Sequence, residues 1–132
     1  MCQAITSNKT LKERDNINVD VTAIKDEWHG DTSRMFEVGE VSIKSKKLIN
    51  TTYEAMMKAI DVVKDGTYLG DIGSAIQTHV EAEGFSVVQD FCGHGIGERF
   101  HKEPNVLHYG EKGTGEKVKT LSLIHISEPT RR

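Results

Sequence analysis

Two aspartates and two histidines are the residues of this sequence whose types and spacing could hold a metal ion. Asp20 and Asp31 lie eleven residues apart in the stretch NVDVTAIKDEWHGDTS, and His94 and His101 lie seven apart in CGHGIGERFHKEP. Carboxylate oxygens suit hard divalent cations, and added imidazole shifts the preference toward Mn, Fe, Co or Zn. The residue types therefore allow a divalent-metal site if the fold brings them together.

The two aspartates lie on segments that are predicted to form a β-hairpin. Residues 17–24, INVDVTAI, alternate apolar and polar and predict a strand, and residues 28–38 include a second strand. Residues 25–27 are the turn between them. The hairpin is the element that must position Asp20 and Asp31.

The register of this hairpin has two alternatives. A loop at residues 25–26 would place Asp20 directly opposite Asp31, and a loop at residues 26–27 would make the pair diagonal. Both registers put the two side chains on one face, because side chains alternate with period two. Carboxylates about 5 Å apart repel each other unless a cation lies between them. Spacing alone favours two solvated aspartates, whereas the glycine-flanked His94 favours a metal site.

The later histidines lie in a glycine-rich stretch. In residues 93–97, GHGIG, three alternating glycines allow close backbone approach, and His94 between them can reach into a cleft. The stretch makes a weak phosphate cradle, because no GK[ST] follows. His101 follows Phe100, which is a candidate apolar wall. For any single histidine, a solvated or hydrogen-bonded side chain is the competing interpretation.

Two helices are predicted between the hairpin and the glycine-rich stretch. Residues 45–64 have apolar residues at helical spacing, and Gly66 is predicted to lie just past the end of this helix. Residues 70–83 have the same spacing, with Asp71 as the predicted cap and Gly84 as the predicted end. The apolar stripe of the first helix is predicted to be core. That stripe consists of Ile49, Tyr53, Met56, Met57, Ile60 and Val63.

A third strand is predicted at residues 85–91, FSVVQDF, and a short one at residues 106–109. The order of hairpin, two helices and strand favours an α+β fold over a doubly wound one. The predicted architecture is an antiparallel hairpin and sheet covered by two helices.

Composition limits the class of protein. The chain has 132 residues, which suits one domain, and 28% of them are charged, with a net charge of −3. There is no basic patch for nucleic acid, no polybasic arm for an anionic membrane and no apolar run of transmembrane length. The two cysteines form no CxxC pair and no signal peptide is visible, so the predicted location is the cytoplasm.

NVDVTAIKDEWHGDTSRMF together with CGHGIGERFHKEP resembles the type I methionine aminopeptidases, which are pita-bread metallopeptidases. The resemblance runs from about residue 10 to about residue 119 and includes TTYEAMMKAIDVVKDG and LGDIG. Prolidases and creatinases share an aspartate pair at this spacing, but the segment HGDTSRMF is more similar to the methionine aminopeptidases. The resemblance implies a partial pita-bread fold.

The resemblance also implies roles for single residues. Asp20 corresponds to the aspartate that chelates one of two divalent ions (Co, Mn, Fe or Zn), Asp31 to the one that bridges both, and His94 to the imidazole on the other. His101 corresponds to the catalytic histidine that contacts the substrate peptide, and Phe100 to a wall of the methionine pocket. The implied partners are nascent polypeptides that start with Met, with the ribosome as a further candidate, and the complete enzyme would be a monomer.

The chain departs from the family pattern at three places. Gln3 stands where the family has a substrate-positioning histidine, and glutamine cannot carry a proton at neutral pH. The family's N-terminal segment is missing, and so are the C-terminal strands that supply two glutamate ligands. Residues 1–120 are therefore predicted to be a partial catalytic domain. Residues 121–132, LSLIHISEPTRR, match the translation of a common transposase adapter and are predicted to be non-native.

The predicted function is thus a fragment of a di-metal exopeptidase that removes the initiator methionine from nascent proteins. The truncated chain is expected to be inactive, with weak or incomplete metal binding. The alternatives are a non-catalytic pita-bread module that binds peptides or proteins, and a mononuclear metal-binding domain. Metal stoichiometry in the complete parent protein would separate them: two ions for the exopeptidase, none for the binding module and one for the mononuclear domain.

The boundary at residue 120 can be tested by truncation. Because residues 121–132 were not selected to fit a core, deleting them is expected to leave the thermal unfolding midpoint unchanged or to raise it. Scanning calorimetry of the two chains measures this difference. A clear drop in the midpoint would show that the segment belongs to the folded domain.

Overall fold

The computed structural model describes residues 8–119, and within that range it contains two helices and two separate two-stranded antiparallel sheets. This arrangement confirms the predicted α+β class. No helix in the described range is long and apolar enough to cross a membrane. The elements are β1 (Asn16–Lys25), β2 (Trp28–Glu37), α1 (Ile43–Asp61), α2 (Leu69–Ala82), β3 (Cys92–Gly95) and β4 (Lys102–Leu107).

The first hairpin has a two-residue loop made of Asp26 and Glu27. Both residues have positive φ, 51° and 68°, as in the turn type that matches the twist of two paired strands. The register therefore pairs Asp20 with Ser33. Asp31 lies two residues before Ser33 on β2, nearer the turn. Of the two predicted registers, the diagonal one is confirmed and the directly opposed one is wrong.

Side-chain and backbone bonds set the two ends of α1. The Ser42 hydroxyl is the N-cap and accepts a bond from the Ser45 N–H at 3.1 Å, and the helix ends at Val62. The buried Thr67 hydroxyl donates to the Val62 carbonyl at 2.8 Å, which satisfies one of the terminal acceptors. Gly66 was predicted as the residue just past the helix end. That assignment is wrong because the C-cap is Val62, and Gly66, with φ +85°, lies four residues further on, in the turn between Lys64 and Thr67.

The buried face of α1 is formed by small residues. Thr51, Ala55 and Ala59 repeat every four residues and are 2–6% exposed, because this face packs against α2. The predicted core stripe is instead open: Tyr53 is 56% exposed and Ile60 is 54% exposed. The helical period was right, but nothing among the described residues covers the large apolar side chains fully.

The ends of α2 follow the predicted signals in part. Tyr68 is the N-cap, and Asp71 is three residues further in, where its carboxylate accepts the Tyr68 N–H at 2.8 Å. Asp71 therefore does cap this end with its side chain, as predicted, but it is the third residue of the helix and not the N-cap. Gly84, with φ +81°, ends the helix as predicted, and the N–H of Phe85 donates to the Val80 carbonyl beyond it.

The last described segment runs beside the start of α2. The Gly66 N–H donates to the Val118 carbonyl at 3.0 Å, and the Val118 N–H donates to the Thr67 carbonyl at 2.7 Å. The Leu69 N–H donates to the Glu116 carbonyl at 2.9 Å. Gly73 on α2 is buried against the carbonyls of Leu107 and Tyr109. Close packing by glycine therefore joins α2 to the chain that follows β4.

The region of the second hairpin corrects two strand predictions. Residues 85–91 form no strand; five of them line an apolar groove of about 490 Å³ between the two helices. The glycine-rich stretch begins inside a strand, because β3 includes His94, and the bulge lies between His94 and Gly95. The strand predicted at residues 106–109 begins earlier and ends earlier, at Lys102–Leu107.

Replacing Gly73 with alanine should destabilise the chain. The added Cβ would lie 2.6 Å from the Tyr109 carbonyl carbon and 2.9 Å from the Leu107 oxygen, and backbone atoms cannot move aside cheaply. We expect the free energy of unfolding to fall by about 1–3 kcal/mol. Gly30→Ala is the matched control, because nothing lies within 4 Å of its added methyl group. Equal urea midpoints for the two variants would contradict this packing.

Asp71 should make stability depend on pH. Backbone N–H groups of Tyr68 and then Gly113 hold the pKa of Asp71 below its ordinary value of 3.8, with Lys112 assisting. A carboxyl whose folded pKa is lowered stabilises above its unfolded pKa, and that stabilisation is lost as the pH falls through the folded pKa. The stability gap between the parent chain and Asp71→Asn should be constant between about pH 5 and 7 and shrink below about 3.8.

Urea unfolding at a series of pH values measures this gap. Asp90→Asn serves as the control, because Asp90 lies in an exposed bend outside both helices. A gap that widens toward acid pH would contradict the assigned role of Asp71.

Candidate metal and substrate site

One face of the first hairpin is polar and carries both aspartates. The register places Asp20, Thr22, Asp31 and Ser33 on the same side, and the four are exposed. Asp31 lies directly opposite Thr22, whose hydroxyl donates to Oδ1 of Asp31 at 2.8 Å. The threonine thereby fixes one carboxylate oxygen of Asp31.

His94 has one ring nitrogen committed to the backbone. Its Nδ1 lies 2.9 Å from the Gly95 carbonyl oxygen, and a carbonyl can only accept, so Nδ1 carries the proton. The neutral ring then has its lone pair on Nε2. A backbone acceptor on one nitrogen is the usual arrangement for a metal-binding histidine, because it fixes the tautomer and orients the ring.

Three imidazoles surround the phenyl ring of Phe100. The ring centroid of Phe100 lies 4.5 Å from His101, 5.5 Å from His94 and 5.9 Å from His29. His94 and His101 also contact each other edge to face, at 4.5 Å. Phe100 is half-buried and His101 is exposed. Two of the predicted substrate residues, Phe100 and His101, therefore lie together with the predicted imidazole ligand His94.

The expected convergence of Asp20, Asp31 and His94 is not seen in this structure. Across residues 8–119, no three His, Cys, Asp or Glu side chains are gathered in an arrangement that could hold a metal ion. The aspartates and His94 lie in different two-stranded sheets. The donor types fit a divalent cation, but the described residues do not form a complete coordination site. The ligand roles stay predictions.

Two predictions lie outside the described residues. Gln3 belongs to residues 1–7, and the predicted adapter-derived tail belongs to residues 120–132. The structure therefore tests neither the substrate role of Gln3 nor the domain boundary at residue 120.

Sequence reasoning missed His29 as a residue of this site. Its backbone N–H and its Nδ1 lie 2.9 and 3.0 Å from the Gly97 carbonyl oxygen, which ties the hairpin to the loop after β3. The alternation of β2 could have found it, because His29 is two residues from Asp31 and lies on the same face. The bond to Gly97 could not be predicted, since the partners are 68 residues apart.

Comparison with known proteins identifies the class. The model of metallopeptidase family M24 matches residues 1–130, and the chain belongs to this family. The solved methionine aminopeptidase of Rickettsia prowazekii is 56% identical with a TM-score of 0.83, covering 86% of this chain and 46% of that one. The prolidase of Pyrococcus furiosus shares the fold, with a TM-score of 0.75. It is 22% identical, and the match covers 89% of this chain and 35% of the prolidase. The predicted partial pita-bread fold is confirmed.

The sequence relatives include methionine aminopeptidases. That of Rickettsia prowazekii is 55% identical over 119 residues, and that of Escherichia coli K12 is 51% identical over 120 residues. Each alignment covers 90% of this chain and 46% of the relative. The chain thus spans about half the length of these relatives.

Proposed function

We propose that this chain is part of a methionine aminopeptidase, a metallo-exopeptidase that removes the initiator methionine from nascent proteins. The observation that carries the proposal is the agreement between the 55% identity to such an enzyme and the common hairpin face of Asp20 and Asp31. Metal binding would offset the repulsion between two carboxylates on one face.

In this proposal Asp20, Asp31 and His94 would hold two divalent ions of Co, Mn, Fe or Zn. Such ions, when bound, polarise a carbonyl and lower the pKa of water. The Gly95 carbonyl orients His94 so that Nε2 can be a ligand, and the Thr22 hydroxyl orients Asp31.

The substrate residues have roles that their surroundings support. His101 is exposed beside His94 and would contact the peptide and help stabilise the developing charge, as the catalytic histidine. Phe100 would line the pocket for the methionine side chain, with Gln3 as a further substrate contact. The proposed partners are nascent chains, with the ribosome as a further candidate, in the cytoplasm, and the complete enzyme would act as a monomer.

The chain as given is proposed to be inactive. Two carboxylates and one imidazole cannot fill the coordination shells of two ions, so water would take the remaining positions. Two-metal catalysis holds its ions roughly 3.5–4 Å apart, which needs ligands that bridge them firmly. Within residues 8–119, the exposed Asp20 and Asp31 do not belong to any group of three or more His, Cys, Asp or Glu side chains that could hold a metal ion.

Metal binding and peptide hydrolysis test these statements. We expect the chain with Co²⁺ or Mn²⁺ to release no methionine from a Met-Ala-Ser peptide above the metal-only background. Calorimetry should show weak binding that Asp31→Asn lowers further. Asp26→Asn is the matched control, because Asp26 is in the same hairpin at the turn. Methionine release at the rate of an intact relative, abolished by His94→Ala, would overturn the proposed inactivity.

A chimera tests the family function separately. Residues 8–119 would replace the matching part of the Rickettsia prowazekii enzyme, which supplies the remainder of the fold. We expect metal-dependent methionine release that Asp31→Asn abolishes and Asp26→Asn preserves. A folded chimera that binds the peptide but no metal would favour a non-catalytic binding module instead.

A further inference from the structure

His29 links the two hairpins through a single carbonyl oxygen. Its backbone N–H and its ring Nδ1–H both donate to the oxygen of Gly97, at 2.9 and 3.0 Å. The ring is half-buried and Gly97 is buried, so water competes weakly for this acceptor. The neighbouring Trp28 ring also lies against Gly97, where an added Cβ would be 3.4 Å from Cζ3.

The position of His29 on β2 relates this link to the aspartates. His29 and Asp31 are two residues apart on one strand, so their side chains project from the same face. The two bonds to Gly97 therefore hold the loop after β3 at the edge of β2, two residues from Asp31.

The tethered loop connects to the other candidate residues. Gly97 follows His94 by three residues, and its own N–H donates to the Arg99 carbonyl at 3.2 Å. The ring of His29 also lies 5.9 Å from the ring of Phe100, which contacts both His94 and His101. A shift of Gly97 would therefore move the imidazoles relative to the aspartates.

We propose that His29 is a positioning residue, which sets where His94 and His101 stand relative to Asp31. The inference rests on the proposed function, because the distance between an imidazole and a carboxylate matters only if they share a ligand. The Nδ1–H performs this role as a hydrogen-bond donor. The backbone bond does not need the side chain and can form with any residue except proline at position 29, so the side chain can be tested by itself.

Two amide variants separate positioning from general stability. The side-chain nitrogen of asparagine can take the place of Nδ1, and His29→Asn should keep the bond to Gly97. Glutamine places its nitrogen one atom further out, and His29→Gln should lose the bond. His79→Gln is the control, because His79 lies on α2 and pairs with Glu54 at 3.2 Å.

The first measurement uses the full chain without metal. Carbon–proton correlation spectra report the ring signals of His94 and His101, which the close aromatic rings make sensitive to position. We expect His29→Gln to shift both signals, His29→Asn to restore them, and His79→Gln to leave them unchanged. Unshifted signals in a folded His29→Gln chain would overturn the proposal, whatever its thermal midpoint.

The second measurement adds Mn²⁺ and follows the broadening of the same two ring signals. His29→Gln should need about 10- to 100-fold more Mn²⁺ for equal broadening, while His29→Asn stays near the parent chain. Equal Mn²⁺ dependence of His29→Gln and the parent chain would overturn the link to the metal. Ring shifts in His29→Gln with no broadening in any chain would support positioning and count against the proposed metal site.

Discussion

The two-residue turn at Asp26 and Glu27 is the constraint on which the candidate site depends. Both residues adopt the left-handed region, which costs free energy for side chains other than glycine and is tolerated best by aspartate and asparagine. The turn fixes the register, and a shift of one residue would move a strand's side chains to the opposite face. Asp20 and Asp31 share a face with His29 because this turn has two residues. The shared face of the two aspartates and the bond from Thr22 to Asp31 both follow from this register.

The sequence was most informative where the pattern is local. Alternation in INVDVTAI predicted β1 to within one residue at each end, and the helical period of 45–64 predicted α1 to within three. The same period could not say which face of α1 would be covered, because that depends on the neighbour: α2 packs on Ala55 and Ala59. Residues 85–91 have strand composition but no pairing partner among the described residues, so propensity alone misled. At the site, residue types predicted the candidates, whereas the contact of His29 with Gly97 depends on tertiary structure.

The described part of the chain has little buried apolar volume. Its buried hydrophobic residues are Ala55 and Ala59, and none of its large side chains is fully buried. Ile60, Val88 and Phe91, which line the groove between α1 and α2, are each about half exposed. The stability of small domains comes chiefly from apolar burial, so this arrangement gives the helices and hairpins few restraints on their relative placement. The relatives that share this fold are about twice as long, which fits a larger core in them.

This open packing explains why the candidate ligands do not gather. His29 and Gly97 join two sheets by two hydrogen bonds, and each such bond contributes about 0.5–1.5 kcal/mol net. A difference of about 1.4 kcal/mol changes a population tenfold, so two bonds bias the position of the loop without fixing it to the tolerance that a metal site needs. Rigid placement of His94 against Asp31 requires packing on the faces that are open here. If Asp20, Asp31 and His94 hold metal as proposed, their placement therefore depends on packing beyond these two hydrogen bonds.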